Sequence, residues 1–107
     1  MPHLGGLMPL ILGRLDYHAP LFLTDVTEPP SATARRLWYD TVAHGSVAVL
    51  RCAHAELGAE RLLLGSDFPN QADDAYTRAV HFIRDAALPP ADVEAILDGN
   101  ATRLLDL

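Results

Sequence analysis

Leu62-Leu63-Leu64-Gly65-Ser66-Asp67-Phe68-Pro69 is the stretch that decides the fold. It is a short apolar run that ends in two small residues, an acid, an aromatic residue and a proline. Periodicity alone does not separate a buried strand from a buried helical segment. The run is short, however, and Gly58 before it and Gly65 and Pro69 at its end are typical of strand boundaries. We therefore predict a strand with Asp67 at its carboxyl end, where α/β proteins collect ligands and catalytic groups.

The segments around this strand alternate between helix and strand. Pro20, Pro29 and Pro30 argue against a long element between residues 17 and 34, where Leu21-Phe22-Leu23 is expected to pack as an apolar clip. On helix 75–87 we expect Tyr76, Ala79, Val80, Ile83 and Ala87 to face inward. The predicted elements are a helix over 7–15 ending near Asp16, a helical turn over 30–35, a strand over 37–41, a helix over 46–57, the strand over 62–65, a helix over 75–87, a helix from Ala91 stopped by Gly99-Asn100, and a short helix over 101–107.

Strands that alternate with helices indicate βαβ units and a parallel sheet, so the predicted fold class is α/β. Two strands do not make a stable parallel sheet, because such a sheet must be covered on both faces. The pattern therefore predicts a piece of a larger α/β fold.

Composition excludes several classes of function. The chain has 107 residues, half of them apolar, and a net charge of −6 without a basic stripe, which argues against nucleic-acid binding. The apolar run from Leu7 to Leu12 is too short to span a bilayer, and the first residues make a poor signal peptide. The single cysteine, Cys52, excludes an intrachain disulfide and favours a cytoplasmic setting.

Four side chains are candidates for chemistry. Asp67 is either a metal ligand or general base at a strand end, or a turn-forming acid. His3, beside a Gly-Gly turn, is either an acid–base imidazole or a terminal residue without a fixed place. His44 follows the end of the other strand and lines a pocket, or it is a helix-entry histidine. Arg14 is a candidate for binding a substrate carboxylate. No HxxxH or CxxC spacing occurs, so no complete local metal motif is present.

Four segments together resemble the amidohydrolase superfamily, in the amidohydrolase-related group typified by aminocarboxymuconate-semialdehyde decarboxylase. The matching segments are His3-Leu4-Gly5-Gly6 with Pro9 and residues 13–16, Leu37-Trp38-Tyr39-Asp40-Thr41 with the following His44, residues 61–69 with their Gly-Ser-Asp-Phe-Pro end, and residues 96–105 with their Gly-Asn-Ala signature. The resemblance covers nearly all of this chain but only about the last third of such a protein.

This resemblance implies a fold and an activity. Residues 1–107 would be the C-terminal part of a (β/α)8 TIM barrel, holding its last two strands and their helices, with strands 1–5 absent. The activity would be that of a metal-dependent hydrolase or nonoxidative decarboxylase acting on a small carboxylated or cyclic molecule. Asp67 would be a catalytic metal ligand, commonly for zinc, and His3 would polarise the substrate or transfer a proton. His44 and Arg14 would bind substrate.

The chain also departs from the family pattern. The HxH pair of the first strand and the histidine of the fifth are absent, the sixth strand that would position His3 is missing, and catalytic zinc generally takes three protein ligands. We therefore expect these residues alone to bind no catalytic metal tightly and to turn over nothing. The alternative function is a non-catalytic remnant or interaction module. Exposed apolar faces would then favour a homo-oligomer or a complementing N-terminal segment.

Overall fold

The computed structural model describes every residue from Met1 to Leu107. The elements follow the predicted order, although most are shorter than predicted. They are a 3₁₀ turn at His3–Gly5, α1 at Met8–Phe22, α2 at Pro30–Ala34, β1 at Tyr39–Asp40, α3 at Val47–Leu57, β2 at Leu62–Leu63, α4 at Ala75–Arg84, α5 at Pro90–Glu94, a π-helical turn at Ala95–Gly99, and α6 at Asn100–Leu105. None of these helices has the length and apolar character needed to cross a bilayer.

The two strands form the predicted parallel pair. Tyr39 lies opposite Leu62, and Asp40 lies opposite Leu63. The first residue continues the sheet on the other side of β1, because the amino group of Met1 donates to the Trp38 carbonyl at 2.8 Å and Asp40 N–H donates to the Met1 carbonyl at 3.2 Å. This is the alternating pattern of a parallel ladder. The backbone just before His3 is therefore held against β1, which argues against the alternative that His3 is a terminal residue without a fixed place.

The core lies between this small sheet and the helices. Tyr39 and Leu62 are fully buried on the helix side of the sheet. The Tyr39 hydroxyl donates to the Ala34 carbonyl at 2.9 Å, and burial raises the pKa of the phenol. The other large apolar side chains with almost no exposed surface are Leu4, Leu12, Leu50, Ile83 and Ile96. Helices α1, α3 and α4 are thereby fixed to one face of the sheet.

Helix α1 is longer than predicted, and the expected apolar clip is wrong. The helix continues through Pro20 to Phe22 because Leu23 N–H still donates to the Ala19 carbonyl at 2.9 Å beyond the proline. Leu21, Phe22 and Leu23 are 62%, 77% and 59% exposed, so they do not pack as a clip.

The ends and inner faces of the later helices also differ from the prediction. In α4, Ile83 is buried as expected, but Tyr76 is exposed, and Ala87 lies beyond the helix end with φ 54°. The predicted stop at Gly99-Asn100 is wrong because the chain passes through the π-helical turn directly into α6. Asn100 is fully buried there, and its side chain binds backbone carbonyls of another segment rather than capping a helix end.

Candidate functional site

Three predicted site residues follow the carboxyl ends of parallel backbone segments. His3 comes after the Met1 pairing, His44 after β1 and Asp67 after β2. The carboxyl ends of parallel strands share one edge of a sheet, which is where α/β barrels build their active sites. The rings of His3 and His44 are stacked at that edge, with centroids 6.1 Å apart and planes 20° apart. The fold therefore brings the two histidines together across a separation of about forty residues in sequence.

The same three residues have left-handed backbone conformations. Their φ angles are 52° for His3, 48° for His44 and 63° for Asp67. Positive φ is uncommon for residues other than glycine, and such positions cluster at functional sites. Each costs about 1–3 kcal/mol and persists only where the surrounding structure holds it in place. The contacts of the three residues show what holds them.

His3 is held by Asp40, which sequence reasoning did not identify as a site residue. Asp40 Oδ1 accepts a hydrogen bond from His3 N–H at 2.8 Å and another from Val42 N–H at 3.0 Å. Because strand residues alternate in direction, Asp40 points away from the face that buries its neighbour Tyr39. A carboxylate next to the end of the strand predicted over 37–41, beside a tyrosine, is the signal that could have identified it.

His44 is held by Gln71, which sequence reasoning did not identify as a site residue. Gln71 Nε2 lies 2.7 Å from His44 Nδ1. The backbone N–H of Gln71 also donates to the Asp67 carbonyl at 2.9 Å. Gln71, in the loop after β2, therefore links Asp67 to His44 by hydrogen bonds.

Asp67 has features of both interpretations left open by its sequence. Its backbone carbonyl closes the turn to Gln71, as a turn residue does. Its carboxylate accepts only a long contact from Asn70 Nδ2, at 3.5 Å, so most of its hydrogen-bonding capacity is unused within the chain. The turn is therefore closed by the backbone of Asp67, and the carboxylate is left available to bind a ligand.

A cavity of about 120 Å³ lies between the ends of the two strands and α4. Its polar lining includes the side chains of Thr41, His44, Ser66, Gln71 and Arg78. The guanidinium of Arg78 is paired with Asp74 one turn earlier in the chain. The mixture of hydroxyl, imidazole and amide groups is suited to a small polar ligand.

Arg14 lies apart from these residues. It is exposed on α1, in a shallow apolar concavity that it shares with Ile11, Leu15, His18 and Phe22. The structure does not bring its guanidinium to the histidine pair, and its role in substrate binding stays a prediction.

The donors on these residues do not fit a complete catalytic metal site. No three His, Cys, Asp or Glu side chains are close enough together to hold an ion. The side chain in contact with the Asp67 carboxylate is an amide, that of Asn70. Catalytic zinc takes three protein ligands, so Asp67 supplies one of the set at most.

Comparison with known proteins relates the chain to one family. Residues 10–107 match the family described as "Amidohydrolase". The chain is 28% identical over 107 residues to a 6-methylsalicylic acid decarboxylase of Penicillium expansum, covering 97% of this chain and 33% of that protein.

Solved structures of decarboxylases have the same fold over this length. A 5-carboxyvanillate decarboxylase from Sphingomonas paucimobilis is 32% identical, with a TM-score of 0.84 over 99% of this chain and 32% of that one. A dihydroxybenzoic acid decarboxylase from Polaromonas sp. JS666, solved with bound manganese and the inhibitor 2-nitroresorcinol, has a TM-score of 0.77 and 24% identity, over 99% of this chain and 32% of that one. The chain therefore spans about a third of the length of the relatives it matches, and its fold is that part of a TIM barrel.

Proposed function

Because this chain belongs to the amidohydrolase family, we propose that it contributes to the nonoxidative decarboxylation of a small aromatic carboxylate. The observation that carries the proposal is the common placement of His3, His44 and Asp67 at one sheet edge, all three in left-handed backbone conformations. The decarboxylases named above support this reaction over the hydrolysis that the sequence left open.

The reaction requires a proton donor and groups that bind the carboxylate of the substrate. A proton is delivered to the ring carbon that bears the carboxylate, the bond between them breaks with its electrons returning to the ring, and carbon dioxide leaves. In our proposal His3 transfers the proton, because an imidazole changes its charge near neutral pH. His44 and Arg14 are proposed to bind the substrate.

Asp67 is proposed as the catalytic carboxylate and metal ligand. A divalent ion bound by the family's full ligand set would act as a Lewis acid, and zinc stays our prediction for its identity. The remaining ligands would have to come from outside these residues, for example from a segment that carries the missing HxH pair. A cytoplasmic setting likewise stays a prediction, based on the single cysteine.

A chimeric barrel tests this function directly. The third of the Sphingomonas enzyme that matches this chain would be replaced by residues 1–107, and carbon dioxide release from 5-carboxyvanillate, 6-methylsalicylate and 2,6-dihydroxybenzoate would be measured. We expect turnover of at least one substrate, and a loss of about 100-fold or more in both Asp67→Asn and His3→Gln. Asp25→Asn, an exposed loop acid, is the matched control. A folded chimera that releases no carbon dioxide, or that is unaffected by Asp67→Asn, would contradict the proposal.

A second candidate function, an interaction module without catalysis, is favoured by one observation. The outer face of α1 exposes Leu7, Leu10, Tyr17, Leu21 and Phe22, of which Leu10 is 71% and Phe22 77% exposed. Contiguous exposed apolar faces mark protein contacts. A homo-oligomer or a complex with a complementing segment would cover this face, and the mass of the purified protein in solution distinguishes these arrangements from a monomer.

A further inference from the structure

We propose that Gln71 is a positioning residue that sets the neutral tautomer of His44, with the ring proton on Nε2. The proposal starts from the 2.7 Å contact between Gln71 Nε2 and His44 Nδ1. With its amide nitrogen toward the ring, Gln71 can only donate in this contact, which assigns the acceptor role to His44 Nδ1. In a neutral imidazole the other nitrogen then carries the proton.

Both partners of this hydrogen bond are fixed by their backbones. Gln71 N–H donates to the Asp67 carbonyl at 2.9 Å, which holds the glutamine beside the end of β2. His44 has φ 48° and is followed by Gly45 with φ 82°, so two left-handed residues direct the ring back toward the loop. Gln71 is a half-buried residue that lines the cavity together with the exposed His44. These restraints make the contact a defined feature of the site.

The consequence is a directed hydrogen-bond donor at the sheet edge. His44 Nε2 makes no hydrogen bond within the chain, whereas Nδ1 is occupied by Gln71. Resting on the proposed function, we assign this Nε2–H to a carboxylate or phenolate oxygen of the aromatic substrate. With the tautomer reversed, the ring would present an acceptor lone pair toward an anion instead, and the interaction would become repulsive.

Nitrogen-15 NMR of the imidazole rings tests the assignment without any assay of activity. At about pH 8.5, where an unperturbed imidazole is neutral, we expect His44 in the wild-type protein to show a protonated Nε2 and an unprotonated Nδ1. A net hydrogen bond biases this ratio by about fivefold. Gln71→Glu is the decisive variant, because a carboxylate accepts only, so Nδ1 must take the proton and the two signals exchange character. Gln71→Leu leaves only the ring's own preference for the Nε2–H form, so its proportion of that form should be lower than in the wild-type protein.

The controls separate a change of tautomer from a change of fold. His54, whose Nε2 pairs with Asp92 at 2.7 Å on the other side of the protein, should keep its signals in all three proteins. Identical His44 signals in wild-type and Gln71→Glu would overturn the proposal, as would a protonated Nδ1 in the wild-type protein.

Titration with 2,6-dihydroxybenzoate tests the role of the donor. The expected result is a shift of the His44 Nε2 signal in the wild-type protein that is at least fivefold weaker, at equal ligand concentration, in Gln71→Glu. Binding that leaves Nε2 unshifted overturns the assignment to substrate. A chimera without carbon dioxide release would refute the proposed reaction and leave the tautomer result unaffected, so the two failures are distinguishable.

Discussion

The carboxylate of Asp40 holds the backbone of His3, with Oδ1 accepting the His3 N–H at 2.8 Å. The same oxygen accepts Val42 N–H, so one acid connects the first turn of the chain to the loop that carries His44. Asp40→Ala removes both hydrogen bonds. Because they are partly solvated, we expect a loss of about 1–2 kcal/mol in the free energy of unfolding, measured by urea titration. Amide exchange at residues 3 and 42 should become several-fold faster.

Asp40→Asn is the matched control for this prediction. The asparagine Oδ1 can still accept both N–H groups, although without the charge that strengthens them. Its exchange rates at residues 3 and 42 should therefore lie close to those of the wild type. Equal loss in Asp40→Asn and Asp40→Ala would show that hydrogen bonding is not what holds His3.

Gly65 is required by the close approach of the two strand ends. A Cβ at this position would lie 2.9 Å from Asp40 Cβ and 3.0 Å from Val42 Cγ2. Gly65→Ala must therefore push β2 away from β1, and we expect a loss of about 1–3 kcal/mol in the free energy of unfolding. The shift should also appear as chemical-shift changes at His3 and His44, because both depend on the position of Asp40 and its loop.

Gly13→Ala is the control for Gly65→Ala, because a Cβ added at Gly13 has free space around it. Gly13 lies inside α1, and an added Cβ would meet nothing within 4 Å. Alanine there should stabilise the protein by about 0.5–1 kcal/mol, because glycine is unfavourable in a helix interior. If Gly65→Ala stabilised the protein as Gly13→Ala is expected to do, close packing at Gly65 would be contradicted.

The strand ends were predictable because their signals are local. The apolar run at residues 62–64 and its Gly-Ser-Asp end predicted β2 and the place of Asp67, and the spacing of apolar residues predicted α3. The end of α1 and the continuation of the helix through Gly99-Asn100 were not predictable from local signals. Whether a helix continues past a proline in its last turn, or past a glycine followed by a buried asparagine, depends on tertiary contacts.

The residues that hold the site in place were also beyond local reasoning. Asp40 and Gln71 act on residues about thirty positions away, and neither belongs to a motif with a fixed spacing. Only the pairing of Met1 with β1 and the fold of the loop after β2 bring them to the histidines. Sequence reasoning therefore named the candidate side chains at the sheet edge and missed the residues that position them.

Asn100 is a structural residue within the Gly-Asn-Ala signature. Its Nδ2 donates to the carbonyls of Ala59 at 2.8 Å and Leu62 at 2.7 Å, and it is fully buried. Asn100→Ala leaves two carbonyls without these donors, and we expect a loss of about 2–3 kcal/mol in the free energy of unfolding by urea titration. Asn70→Ala, an exposed asparagine, should change it by no more than about 0.5 kcal/mol. Equal effects of the two variants would contradict a structural role for Asn100.

The Glu28 carboxylate makes stability depend on acid pH. Hydrogen bonds from Arg36 and then Thr33 lower the pKa of Glu28 from 4.5 to about 2. A carboxyl group whose pKa is lower in the folded state stabilises it above the unfolded pKa, and this contribution is lost as the pH falls through the folded pKa. The melting temperature of the wild-type protein should therefore exceed that of Glu28→Gln at pH 7. This difference in melting temperature should disappear as the pH falls from 4.5 to about 2. Glu60→Gln, an exposed acid outside this cluster, is the control and should show no such closing difference. If the difference in melting temperature between the wild-type protein and Glu28→Gln were the same at the lowest pH as at pH 7, the charge of Glu28 would not be the source of the stabilisation.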